Sequence, residues 1–328
     1  MKKKFVAILV TAAMTVMMTA CGNSGVSFGT SADVDSSVDT TDTAQGGGLK
    51  MGVTYWTASD FFQTIADSIK KEAEQDGNSV VVSDAGQDSA KQIQIIEDFI
   101  AQDVDVVFLN PVDRDAITPA LQELRDAGIK VVNFDSSVTA ADMVDAYVAT
   151  DNYRAGVLCA EAMIKDFPDG GEIAVLNYPA NSACNDREQG FLDTIGDKFE
   201  VVATFDAQGD VSKGQEITSD ILQAHPELTA IFSINDQAGM GAYAAVMGAD
   251  LNVAIYGVDG NPDAKTVINQ EGSIYRMTAA QSPIKMGKTC YETAMKLLSG
   301  EELENFQIDV DAFSITADNV GDYLDGWQ

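Results

Sequence analysis

The residues best placed to do chemistry in this chain sit where two apolar runs stop abruptly. Ala230 to Ile234 ends in Asn235-Asp236, and Val253 to Val258 ends in Asp259-Gly260. A carboxylate accepts hydrogen bonds and a carboxamide both donates and accepts, so such a pair is equipped to hold a small molecule. Runs of four to six apolar, largely β-branched residues bounded by turn formers predict buried strands of a parallel sheet, and the small-residue segment Ala238 to Met247 predicts the crossover helix between them. In open sheets of this kind ligands bind beyond the carboxyl ends of the strands, where Asn235 and Asp259 fall, one per strand. The plainer alternative is that both residues only start turns. Gly260-Asn261-Pro262 then supplies a turn, an N-cap and a proline at the first helical position.

The same alternation extends over most of the chain. Strands are predicted at 51–54, 80–82, 104–109 and 129–134, with helices around Phe62 to Ala73, Ile93 to Ile100 and Ile117 to Ala127. A second round follows: helix 154–164, strand 173–176, helix 187–195, strand 201–203, helix 212–223, the stretch described above, strand 274–280 and helix 284–298. Strands and helices that alternate this regularly imply an α/β protein with doubly wound parallel sheets. Their number exceeds one compact domain, and a break near Thr150-Asp151 divides them into two lobes of similar size.

The N-terminus has a different logic. Lys2, Lys3 and Lys4 precede an apolar run from Phe5 to Met18, and Thr19-Ala20-Cys21 follows, which is the order of a signal peptide. Met18-Thr19-Ala20-Cys21 resembles a bacterial lipobox, so residues 1–20 are expected to be removed and Cys21 to carry lipid. Residues 22–48 are rich in Ser, Thr, Asp and Gly and close on three glycines. They form a tether, which as a flexible coil would span about 30 Å. The formal charge is −31, and loss of the three lysines makes it −34. So acidic a chain repels nucleic acid and offers it no basic patch. Cys159, Cys184 and Cys290 follow no zinc-like spacing and are expected to be buried thiols, with one disulfide left open.

From Leu49 onward the chain resembles the ribose- and galactose-type sugar-binding proteins of ABC importers, over about 280 residues. The resemblance rests on Ser59-Asp60-Phe61-Phe62, Leu109-Asn110-Pro111 with Asp113, Phe134-Asp135, Thr150-Asp151-Asn152, Arg187 to Gly190-Phe191, Asn235-Asp236, Gly257-Val258-Asp259-Gly260 and Gln281. It implies the type I periplasmic-binding-protein fold, with three crossings near Thr150, Gln281 to Ser282 and Gln307. One lobe would comprise 49–150 plus 283–306 and the other 151–282 plus 307–328. A neutral sugar needs carboxylates and carboxamides for its hydroxyls and an aromatic face for its C–H patch. The resemblance assigns Asp135, Asn235, Asp259 and Gln281 to the first task, and puts Phe61 and Phe62 near the ligand with Tyr55 and Ser59 at the mouth of the first strand. Phe62 also fits a buried helical stripe, so core packing competes for it, and Asp60, Asp113 and Asp151 fit helix or turn caps better. Three positions depart from the family pattern. Ser136 and Asn185 stand where arginines are usual, and Gly209 where an aromatic often covers the ring. A cleft that keeps its acids and loses these cations should favour a neutral polyhydroxyl ligand or an amino sugar over a sugar acid. Arg187, two positions beyond Asn185, fits a structural salt bridge better than a replacement.

Enzymatic readings find little support. G-x-G-x-x-G is absent after the first strand, no phosphate-binding G-x-x-x-x-G-K-[ST] and no G-x-S-x-G occurs, and the one histidine, His225, sits before a proline at a helix end. Only a pair of acids such as Asp135 and Asp259 would leave glycoside hydrolysis open. The chain is expected to be a monomeric, lipid-anchored receptor on the outer face of a membrane, without metal, cofactor or catalytic residues, that hands a sugar or polyol to an ABC permease. A sensor feeding a histidine kinase or chemoreceptor is the alternative.

Overall fold

The computed structural model describes residues 48–328; the signal segment, Cys21 and nearly all of the tether lie outside them. In chain order the first half gives β1 (Lys50–Tyr55), α1 (Asp60–Gln75), β2 (Ser79–Asp84), α2 (Ser89–Ala101), β3 (Val106–Leu109), α3 (Thr118–Asp126), β4 (Lys130–Phe134) and β5 (Ala146–Thr150). The second half gives α4 (Asn152–Asp166), β6 (Gly171–Asn177), α5 (Ser182–Ile195), β7 (Phe199–Asp206), α6 (Val211–Ala224), β8 (Leu228–Ser233), α7 (Asp236–Gly248), β9 (Ala254–Asp259), α8 (Pro262–Ile268) and β10 (Tyr275–Ala280). The chain then returns through α9 (Pro283–Ser299), β11 (Gln307–Val310) and β12 (Phe313–Thr316).

Two six-stranded sheets result, ordered β11-β5-β4-β3-β1-β2 and β12-β10-β9-β8-β6-β7. All pairings are parallel except β12 on β10. Period-two alternation builds a core on each face of both sheets. In β3, Val106 and Phe108 pack with α1 and α9, while Val107 and Leu109 pack with α2 and α3. In the second sheet, Ile173, Val175 and Phe232 face α4 and α5, and Ala174, Leu176 and Ile231 face α6 to α8. Burying a side chain of this size contributes about 1.5–3 kcal/mol, so each sheet is held between helical layers.

Three strands escape the sequence reading. β5 follows β4 after only a short 3₁₀ turn (Ala141–Met143), so no helical pattern announces it, and β11 and β12 are four residues each. They also correct the third crossing. Gln307 to Val310 pair with Tyr147 to Thr150, so this segment belongs to the first sheet, and the chain crosses at Asp311-Ala312 rather than near Gln307. Cys159, Cys184 and Cys290 are buried free thiols.

Candidate ligand-binding site

Two acids end equivalent strands, one in each lobe, and both have unusual backbones. Asp135 has φ 62° and Asp259 φ 128°, a region that non-glycine residues adopt only when their surroundings impose it. At Asp135 the imposing groups are Tyr147, whose hydroxyl donates to the Asp135 carbonyl at 2.7 Å, and the buried Asn110, whose amide reaches the carbonyl of Phe134 (3.2 Å) and Asp135 Oδ2 (3.3 Å). Gln92, also buried, fixes Asn110 in turn by donating to its carbonyl at 2.8 Å. Ser136 donates to Asp135 Oδ2 at 3.0 Å. All these partners are neutral, and burial pushes the Asp135 carboxyl above the ordinary range against their opposing effect.

The turn that carries Asp259 is held by another acid. Asp236, fully buried at the start of α7, accepts from the backbone N–H of Gly260 and Asn261 (both 2.9 Å), the Thr278 hydroxyl (3.0 Å) and the Tyr275 hydroxyl (2.7 Å). Residue 257 must be glycine for this to form, because a Cβ there would lie 2.0 Å from the Tyr275 hydroxyl. Burial, then the charge of Asp259, raises the Asp236 pKa, and its four donors hold it as an acceptor. Asn261 caps α8 by accepting from Ala264 N–H, with Pro262 following, as its sequence implies.

Asp259 itself closes a ring of hydrogen bonds. Its Oδ1 accepts from Arg187 (3.0 Å) and from Gln281 Nε2 (2.8 Å). Gln281 Oε1 accepts from the Thr150 hydroxyl (2.7 Å), Arg187 Nε donates to Asn152 Oδ1 (2.8 Å), and Asn152 Nδ2 donates back to the Thr150 carbonyl (3.0 Å). Thr150, Asn152 and Gln281 lie at two of the three crossings, so the ring ties a strand-end acid to the hinge. The Arg187–Asp259 pair is withdrawn from water, with side-chain exposures of 6% and 18%. Arg187 also donates to the Ile234 carbonyl at 2.8 Å. Behind the larger effect of burial, its charge lowers and that of Asp259 raises the pKa of Asp135.

An aromatic group flanks the first wall. Phe62 stacks on Tyr55 (6.1 Å) and meets Trp56 and Phe61 edge-on (6.3 and 5.3 Å). Phe62 and Tyr55 belong to the first lobe's core, Phe61 is half-buried at its margin and Trp56 is 36% exposed. Ser59 is the N-cap of α1, accepting from Phe62 N–H. Asp113 and Asp151 act as caps, as their positions imply.

The expected residues therefore fall into groups. Asp135 with Ser136, Asp259 with Gln281, and Tyr55, Phe61 and Phe62 are brought together. Asn235 caps α7 through Oδ1 and donates to the Gly209 carbonyl at 3.2 Å, so both ends of its amide have main-chain partners. Asn185 is not brought in: it is exposed, and its amide donates to Pro179 at 3.1 Å at the start of α5. Arg187 corrects the charge argument. It forms the expected salt bridge, but does so inside the site, so one of the two strand-end acids keeps a cation. Its sequence signal is its place on the buried stripe of α5, in register with Cys184 and Phe191. Gly209 has φ 61°, and Tyr178 lies 3.7 Å from where its Cβ would be, an aromatic that the sequence reading passed over. Thr150 and Asn152 were visible only as a motif.

A family model described as periplasmic binding protein domain matches residues 52–302. The ribose import binding protein of Bacillus subtilis (strain 168) is 34% identical over 245 residues, covering 74% of this chain and 79% of that protein. Among solved structures, an ABC transporter solute-binding protein from Bacillus halodurans C-125 with bound myo-inositol superposes with a TM-score of 0.77 at 26% identity, covering 87% of this chain and 100% of that one. A periplasmic solute-binding protein from Actinobacillus succinogenes 130z with bound D-allose gives a TM-score of 0.78 at 25% identity, covering 84% and 100%.

Proposed function

The chain belongs to the periplasmic binding protein family, in its ribose- and sugar-binding branch, and on that premise we propose that it captures a neutral monosaccharide or polyol between its lobes and presents it to an ABC permease. The observation that carries this reading is the pair of strand-end acids, Asp135 and Asp259, held on separate lobes in strained backbone beside a hydrogen-bonded hinge. Strain kept at two matching positions supports a binding role rather than a turn role. The relatives are solute-binding proteins, and we read this chain likewise as a non-catalytic receptor.

Ligand contacts are assigned to Asp135, Asp259 and Gln281, with Phe61 as the apolar face and Ser136, Arg187 and Tyr178 beside them. The balance of charge supports a neutral ligand: Arg187 is already engaged by Asp259, and the Asp135 carboxylate has only neutral hydrogen-bond partners, so an added anion would meet two acids and one paired arginine. Closure by hinge bending would make the bound form readable by a permease. The lobes are 49–150 with 283–310, and 151–282 with 313–328. We further propose a monomer held on the outer face of the membrane through Cys21.

A thermal-shift panel of pentoses, hexoses, inositols, amino sugars, sugar acids, nucleosides and amino acids, followed by calorimetry, tests the ligand class. A neutral sugar or polyol is expected to bind tightest, with ribose not the best of them; a sugar acid or phosphate in first place would overturn the charge argument. Anchoring is tested by Cys21→Ala, which should move the protein to the soluble fraction.

A further inference from the structure

Beyond β12 the chain does something that neither sheet requires. Val320 is buried in the second lobe's core and Tyr323 packs on Phe313 at 5.2 Å, so the segment leaves from that lobe. Residues 324–328 then meet three groups. The first is Lys265 of α8, also in the second lobe, whose side chain is fully buried and whose ammonium donates to the Gly326 carbonyl and reaches Gln328 Oε1 at 3.4 Å. The second is the start of α9 in the first lobe. Ser282 makes no side-chain cap there among the described residues, and the Gln328 carbonyl instead accepts from Ile284 N–H at 3.0 Å. This satisfies a backbone donor that a helix start leaves unpaired. The third is Phe61 of α1, also in the first lobe, met edge-on by Trp327 at 5.4 Å.

We infer that residues 324–328 are a strap between the lobes and that Trp327 is a positioning residue for the Phe61 face of the ligand site. The second part rests on the reading of Phe61 as that face. In the second lobe the strap is held at Gly326 and Gln328 by a buried lysine, and in the first lobe by the helix start at Gln328 and the aromatic contact at Trp327. The α9 end lies beside the Gln281-Ser282 crossing, so a change in lobe angle must stretch or shift the strap. From Trp327 the ring contacts run through Phe61 to Phe62, and from there to Tyr55 and Trp56. Trp327 Nε1 is buried without an acceptor among the described residues, a cost that packing on Phe61 must offset.

The chain holds two tryptophans, Trp56 and Trp327, so Trp56→Phe isolates the emission of Trp327. In that background the unliganded full chain, purified in detergent, is compared with Lys265→Met, Trp327→Ala and Trp327→Phe. Lys265→Met replaces the buried ammonium with an apolar chain of similar length, and residues 324–328 themselves are unchanged. It is expected to expose Trp327 to acrylamide and to raise hydrogen exchange of the Ile284 amide roughly tenfold or more, the response of a locally opened segment, while α4 and α5 keep their protection. Unchanged quenching and exchange would show that the segment rests on the first lobe alone and overturn the strap. Trp327→Ala is expected to raise exchange in the first turn of α1 and Trp327→Phe to restore it; equal protection in all three would overturn the positioning role. Titration with D-allose and myo-inositol adds a separate arm, in which Trp327→Ala should weaken binding roughly two- to tenfold, the range of an aromatic pair. Failure of the wild type to bind any neutral sugar would count against the proposed function and leave the unliganded comparisons standing.

Discussion

The two walls of the proposed site solve one problem in opposite ways. Each places an acid at a strand end in strained backbone, yet Asp259 is neutralised by Arg187 and braced by Gln281, whereas the Asp135 carboxylate accepts only from Asn110 and Ser136. The second wall is therefore part of the fold as much as of the site, because removing either partner of a buried ion pair strands the other. The first wall can change its charge without disturbing a partner. The ring through Thr150 and Asn152 strengthens the contrast, since it ties only the second wall to the hinge.

The largest expected effect breaks the braced wall. Arg187→Met should leave Asp259 buried without its cation and cost about 3–5 kcal/mol of stability, measured by denaturant unfolding. Adding Asp259→Asn should recover much of that loss, because no uncompensated charge remains. If the double variant is no more stable than Arg187→Met alone, the pair is not the unit described here.

A comparison of the two acids sharpens the contrast. Asp135→Ala and Asp259→Ala should both weaken the ligand identified by the panel by about 1–3 kcal/mol, roughly fivefold to more than a hundredfold in Kd. Only Asp259→Ala should also lower the melting temperature, because it leaves Arg187 unpaired. Equal melting temperatures would remove the distinction, and unchanged affinity in either variant would remove that residue from the site.

The smallest effect is in pH dependence. Burial holds the Asp135 carboxyl above its ordinary range in the folded chain, so folding favours its protonated form. Its contribution is fully present below the unfolded value of about 3.9 and is lost as pH rises through the raised folded value. Asp236 and Asp259 are raised as well and act in the same direction. Asp135→Asn should thus lose less stability than the wild type as pH rises from about 4 to about 7. Parallel unfolding curves across that range would show that Asp135 is not perturbed.

What the sequence determined by itself was everything that depends on local pattern. Apolar runs of strand length alternating with helical stripes specified two parallel sheets, and Gly260-Asn261-Pro262 specified where α8 begins. Abrupt polar ends marked Asn235 and Asp259, because a strand that stops in a short acid or amide leaves that group at the carboxyl edge of its sheet, whereas Asp135 was singled out by the family resemblance. Tertiary structure alone decided which of these groups met. Asn185 and Arg187 are two residues apart on α5, yet helix phase turns one to solvent and the other into the site. Gln307 to Val310 carries too few residues for its period to show which sheet it joins, and pairing with β5 settled it. Lys265 and Gly326, 61 positions apart, come together only because the chain returns between the lobes, a contact no local rule encodes.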